Sequence, residues 1–279
     1  MIQSVKLVRI VSMTVIAALV LFGTLLAVLY FRQKNLVFFP NVTDKSKPLS
    51  FPARYTENFL EFAGGDVHYL IFSPANAAPG VILYFHGNAG SLEDWGYVAA
   101  EITEATGFEV WIMDYPGFGK SGGGLPSTQA PLISMGEKFI HEIQKQRPGA
   151  PILLQARSIG TGIASRLGES ENIAGLILET PYLSLKELAR EIYPWIPGFL
   201  LAFRFDNTKL KDIQKNFPVL IVHGTNDEII PYRHGKELHE ALGPRSTFAS
   251  IQGARHNNLS DFPEYWRALK EFTAKAVPR

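Results

Sequence analysis

The run Ile152-Leu153-Leu154-Gln155-Ala156-Arg157-Ser158-Ile159-Gly160-Thr161-Gly162-Ile163-Ala164 is an apolar strand that breaks into a helix at a serine. Ala156 and Gly160 are small, so the strand and the helix can close tightly around Ser158. A turn that tight forces its central residue into a strained, exposed position. It reads as a nucleophile elbow, with Ala156 where the pattern usually has a glycine; one extra methyl there is tolerable. The pentapeptide is common by chance, so its weight rests on a base, an acid and an oxyanion site elsewhere in the chain.

Working outward, apolar strands alternate with helical patterns. Phe59–Phe62 and Val67–Phe72, parted by Gly64-Gly65, read as an opening strand pair. Strands are predicted at Val81–Phe85, Phe108–Met113, from Ile152 to the break at Ala156-Arg157-Ser158, and at Ile173–Leu178, Pro218–Val222 and Thr247–Ile251. Helices are predicted at Leu92–Ala105, Ala130–Gln146, Tyr232–Leu242 and Pro263–Ala274. That alternation implies an α/β fold, a mostly parallel sheet with helices on both faces. Ligands of such sheets sit at the carboxyl ends of the strands, so chemistry is sought just after each strand.

Three strand ends carry candidates. His86-Gly87-Asn88-Ala89-Gly90 follows the Val81 strand, and the backbone N–H groups of Asn88 and Ile159 are candidate oxyanion donors. The plain alternative is a glycine-rich turn; a phosphate loop would need a following Gly-Lys-Ser/Thr. His223-Gly224-Thr225-Asn226-Asp227-Glu228 follows the Pro218 strand. Asp227 suits an acid that orients an imidazole, with Glu228 as its rival and turn capping as the alternative. Gly253-Ala254-Arg255-His256-Asn257-Asn258 follows the last strand and places His256 in a small-residue loop before a helix. His86 and His223 read as loop supports, His68 as a strand residue, and His141, His234 and His239 as helical surface residues. The order Ser158, Asp227, His256 is nucleophile, acid, base.

With a formal charge of +1 and scattered Lys and Arg, nothing favours nucleic acid. No cysteine means no disulfide, no thiol nucleophile and no Cys-ligated metal. Residues 10–31 carry no charge and are long enough to span a hydrocarbon core of about 30 Å. The run exceeds a signal-peptide core, lacks a small-x-small cleavage site and has no polar face. It is read as an uncleaved single-pass anchor, residues 1–34. Lys6, Arg9 and the α-amino group before the span, against Arg32 and Lys34 after it, favour a catalytic domain on the non-cytoplasmic side. Asn35–Pro40 is apolar enough to cover the domain or lie at the interface, and Lys45–Phe51 reads as an extended linker.

Together, Leu83–Gly90, Asp114–Ser121, Arg157–Gly162, His223–Glu228 and His256-Asn257 make the chain resemble the α/β-hydrolase-fold serine hydrolases. More narrowly it resembles the membrane-anchored BEM46-like group, related to the ABHD13- and ABHD17-type hydrolases and often labelled S33-peptidase-like. The resemblance implies Ser158 as nucleophile, Asp227 as acid and His256 as base. It implies a hydrolase domain over residues 35–279, with a short cap at about 181–216. Tyr193, Trp195, Phe199, Leu200 and Phe203 of that cap either line an acyl pocket or simply cover the sheet. The expected activity is hydrolysis of a small-molecule or lipid acyl ester or thioester through an acyl-enzyme, needing no metal and no cofactor. The same triad serves a serine peptidase, and a catalytically idle scaffold is the alternative from another class. Oligomeric state is not legible.

Overall fold

The structure is a computed structural model and describes residues 2–170, 172–213 and 217–278. In chain order its elements are α1 (Ile2–Val37), β1 (Phe39–Pro40), β2 (Tyr55–Phe62), β3 (Gly65–Phe72), β4 (Val81–Phe85) and β5 (Ala89–Gly90). There follow α2 (Leu92–Thr106), β6 (Glu109–Met113), α3 (Ala130–Gln146), β7 (Ile152–Arg157), α4 (Gly160–Leu167) and β8 (Ile173–Glu179). The rest is α5 (Leu185–Ile192), β9 (Val219–Gly224), α6 (Arg233–Leu242), β10 (Ser246–Ile251) and α7 (Pro263–Ala276).

One eight-stranded sheet runs β10-β9-β8-β7-β4-β6-β3-β2. Its members pair in parallel from β10 to β6, while β3 and β2 are antiparallel. The antiparallel pair turns at Gly64 and Gly65, both at positive φ, where a side chain would be strained. Strand β4 shows why continuous apolar runs are needed: Val81, Leu83 and Phe85 enter the core under α3, α4 and α6. Ile82 and Tyr84 enter the opposite core, under α2 and α7. Helix α2 is started by Ser91, whose side chain caps the first turn, and stopped by Gly107 at φ 74°.

Helix α1 is free of charge from Ile10 to Phe31, with a mean hydropathy of 2.5 over its most apolar stretch and none of that stretch buried against the domain. By length and composition it can cross a membrane. The helix does not stop at residue 34 but runs on to Val37 and joins the domain. Phe38 is buried edge-on between Phe118 and Phe203, and β1 pairs in parallel with β5. The stretch read as a linker is also seated, because Phe51 packs over Gly96 and against Tyr55, Phe72 and Tyr97. Between β8 and β9 the cap contains α5 and two short 3-10 turns.

Candidate active site

Ser158 stands between β7 and α4 at φ 54°, a left-handed conformation that side chains seldom adopt. Its N–H donates to the Glu179 carbonyl (3.0 Å), and its own carbonyl accepts from Thr161 N–H and Oγ (3.0 and 2.7 Å). Those three bonds offset a backbone strain of about 1–3 kcal/mol. Ala156 is fully buried between Phe85 and Leu178 of the neighbouring strands, so its methyl takes the place of a usual glycine without exposing anything. Gly160 is the glycine that cannot be spared. A Cβ there would stand 2.5 Å from the Phe85 carbonyl and 2.8 Å from that of His86. The start of α4, and with it the Ile159 amide, is thereby pressed against the end of β4.

His86 turns inward at that strand end. Its Nδ1–H donates to the Gly87 carbonyl (2.7 Å), and Tyr115 stacks on the ring and donates to the His86 carbonyl (2.7 Å). Burial pulls its pKa down to about 4, so it is a neutral support for the loop. The next turn holds Asn88. Its side chain donates to the Val37 carbonyl (2.8 Å), and its own carbonyl accepts from Phe39 N–H (2.8 Å). The end of α1 therefore clasps the loop that bears the Asn88 amide.

His256 Nδ1 lies 2.8 and 3.1 Å from the two carboxylate oxygens of Asp227. Glu228 instead accepts the backbone N–H of His256 at 3.5 Å. Asp227 also caps its own turn, accepting from the N–H groups of Ile229 and Ile230 (2.9 and 2.8 Å). His223 Nε2 sits 3.3 Å from the same carboxylate and 3.0 Å from the Ile230 carbonyl. Burial alone would raise the Asp227 pKa; hydrogen bonds from His223, His256 and the Ile230 amide outweigh it and hold the carboxyl well below its ordinary range. Arg255, the residue before His256, is exposed, and its N–H is held by Asn258 (2.7 Å).

Ser158, Ile159, Asn88 and His256 line one cavity of about 460 Å³, a size ordinary for a small-molecule site. Its walls are apolar: Leu36 and Val37 from α1, Leu185, Leu188 and Ile192 from α5, and Phe203. Of the five cap residues singled out from the sequence, Tyr193 and Phe203 line it. Trp195 and Phe199 face outward, and Leu200 gives its carbonyl to Gln33 of α1 (2.6 Å). A wider groove past Arg54, Tyr97 and Glu104 holds none of the candidate residues.

Several contributors escaped the sequence reading. His234, read as a surface residue, is fully buried: its Nδ1 accepts Leu183 N–H (3.2 Å) and its Nε2 faces Glu191 of α5 (3.2 Å), tying α6 to the cap. A helical histidine inside a polar sequence carries no hint of a lid resting on it. Beneath the elbow, the buried Glu179 carboxylate collects Arg157 Nε (2.6 Å), Gln155 (2.5 Å), Tyr265 (2.8 Å) and Tyr84 (3.3 Å). The signal for it was present: a charged residue inside a buried strand requires a buried partner. Among the described residues no cluster of His, Asp or Glu is arranged to hold a metal ion.

A protein-family profile described as serine aminopeptidase, S33 (Hydrolase_4) matches residues 76–205. The lysophosphatidylserine lipase ABHD12 of Macaca fascicularis is 30% identical over 230 residues, covering 71% of this chain and 56% of its own. The chain thus spans little more than half of that relative. The uncharacterized protein YfhR of Escherichia coli O157:H7 is 30% identical over 194 residues, covering 67% of each chain. An esterase of Pyrococcus furiosus, Pf2001, has the same fold: TM-score 0.68 at 17% identity, over 86% of this chain and 99% of that one. With these relatives and this sheet, the chain belongs to the α/β-hydrolase-fold serine hydrolases.

Proposed function

We propose that the protein is a membrane-anchored serine hydrolase that cleaves a carboxylic ester or thioester of an apolar acyl substrate through an acyl-enzyme. The observation that carries this is the buried Asp227 carboxylate 2.8 Å from His256 Nδ1, in a loop whose imidazole shares an apolar cavity with the strained Ser158. In this reading residues 1–34 anchor the chain, residues 35–279 form the hydrolase domain with its cap at about 181–216, and the domain lies on the non-cytoplasmic side.

Asp227 accepts from His256 Nδ1–H, which leaves Nε2 as the basic nitrogen. Nε2 takes the Ser158 proton as Oγ attacks the acyl carbon, and later returns it to the leaving oxygen or sulfur. The amides of Asn88 and Ile159 receive the charge that forms on the carbonyl oxygen, each contributing about 2.7–4 kcal/mol to the transition state. Water then enters by the same base catalysis and releases the acid. The similarity to a mammalian lysophosphatidylserine lipase supports a lipid acyl ester as the substrate class. The aminopeptidase description of the matching profile supports the second reading, an amide substrate cleaved by the same residues.

The test compares the full-length protein in detergent with Ser158→Ala. Each receives a fluorophosphonate probe, then p-nitrophenyl esters of increasing chain length and an aminoacyl p-nitroanilide. We expect labelling and ester turnover that vanish in Ser158→Ala, with an optimum above the shortest chain. A folded wild type that takes no label overturns the hydrolytic assignment, and turnover of the anilide alone moves it to a peptidase.

A further inference from the structure

The cavity has a mouth, and its rim can be read from the residues that both line it and remain exposed. Leu36 is 55% exposed, Ile192 51% and Tyr193 50%. One side of the mouth is thus the end of α1 and another the end of α5. Beyond the rim, on the cap and outside the cavity, stand Trp195 (51% exposed) and Phe199 (75%). Large apolar residues grouped like this are unusual on a surface that meets only water.

The height of that surface is set by Gln33. Its amide donates to the Leu200 carbonyl and accepts from Ala202 N–H (2.6 and 2.8 Å), so the loop next to Phe199 is level with residue 33 of α1. The uncharged run of α1 ends at Phe31, about 3 Å earlier along the helix axis. The head-group layer is roughly 5–8 Å deep on each side of a bilayer. Wherever α1 crosses a bilayer with Arg32 and Lys34 at its surface, the cap edge lies at the depth of that layer. The side chains fit the place. Tyr and Trp favour the interface, and the nearby cations are Arg32, Lys34, Lys186 (against Gly198) and Arg204, which donates to the Phe199 and Leu201 carbonyls. The acids of α5, Glu187 and Glu191, are turned aside to Arg233 of α6.

We propose that Tyr193, Trp195 and Phe199 form a membrane-seated surface, embedded in the interfacial layer of the bilayer that α1 crosses, so that the catalytic cavity opens onto lipid. The proposal rests on α1 being a membrane anchor and is independent of which bond the enzyme cleaves. A substrate would then pass from the bilayer past Leu36 and Ile192 to Ser158 without crossing water.

A chain with no cysteine allows a direct test. Single nitroxide labels are placed on the full-length protein at Trp195→Cys and Phe199→Cys, with Leu19→Cys in mid-helix and the exposed Lys145→Cys on α3 as references. Each is reconstituted in phosphatidylcholine–phosphatidylglycerol nanodiscs, and collision with oxygen and with a water-soluble nickel chelate is measured. We expect residue 19 deep in lipid, 195 and 199 at the interface, and 145 in water. Labels at 195 and 199 as wet as 145, with 19 deep, overturn the proposal and leave the anchor standing. A wet label at 19 removes the anchor and the proposal together. In a second arm, Trp195→Asp and Phe199→Asp are assayed on a long-chain ester in vesicles and on a short soluble ester. Vesicle turnover should fall about tenfold per residue, as for one large apolar side chain withdrawn from lipid, with soluble turnover and probe labelling unchanged. Equal losses on both substrates overturn it.

Discussion

Asp227 does two jobs with one carboxylate. It folds its own turn by accepting from Ile229 and Ile230, and it faces the imidazole of His256. Turn capping and the proposed role as acid therefore do not compete for this carboxylate. Its depressed pKa keeps it charged into acid, so it can stabilise an imidazolium wherever the enzyme works. Asp227→Asn should keep the turn yet misorient the imidazole, and kcat should fall about 10⁴-fold, measured on a p-nitrophenyl ester beside an unchanged circular dichroism spectrum. Glu228→Gln should change kcat less than tenfold, because Glu228 touches only the backbone of the histidine. A reversed ranking of the two variants would reassign the acid.

At the scale of elements, the elbow works because α4 and β4 approach with nothing between them. Gly160→Ala drives a methyl into two main-chain carbonyls that have no room to yield. Overpacking of this kind costs about 1–3 kcal/mol, and it should displace the Ile159 amide, so that kcat falls far more than KM changes in steady-state kinetics. Beneath the elbow, Glu179→Ala would leave Arg157 buried without its partner, and urea unfolding should show a loss of about 3–5 kcal/mol. The central strands were legible because a sheet covered on both faces needs uninterrupted apolar runs, and their ends then pointed to Ser158, Asp227 and His256. Helix α5 was not legible. All its residues stay at least partly exposed, and its fit to the cavity depends on α1, which is distant in sequence. The same reason hid Gln33 and the Asn88 side chain: a polar residue after an apolar run gives no sign of what it will meet.

For the whole molecule, the buried histidines set the response to acid. The pKa of His86 falls by burial from 6.5 to about 4, and that of His234 is lowered by burial as well. In both cases the unfolded chain binds the proton more readily, so stability is complete above about pH 6.5 and declines as pH falls towards 4. His86 alone would account for about 3 kcal/mol across that window. Urea midpoints measured from pH 7.5 to 4 should drop accordingly, and His86→Asn should flatten the slope even if it starts from a lower baseline; an unaltered slope would exclude His86 as its source. The clasp of Gln33 on the cap has a further consequence, for the order of assembly. It joins positions 167 and 169 residues apart, and the length-dependent part of closing such a loop costs roughly 4–5 kcal/mol. The contact forms only after most of the chain has left the ribosome, so the first segment synthesised waits for the cap before the cavity has its last wall.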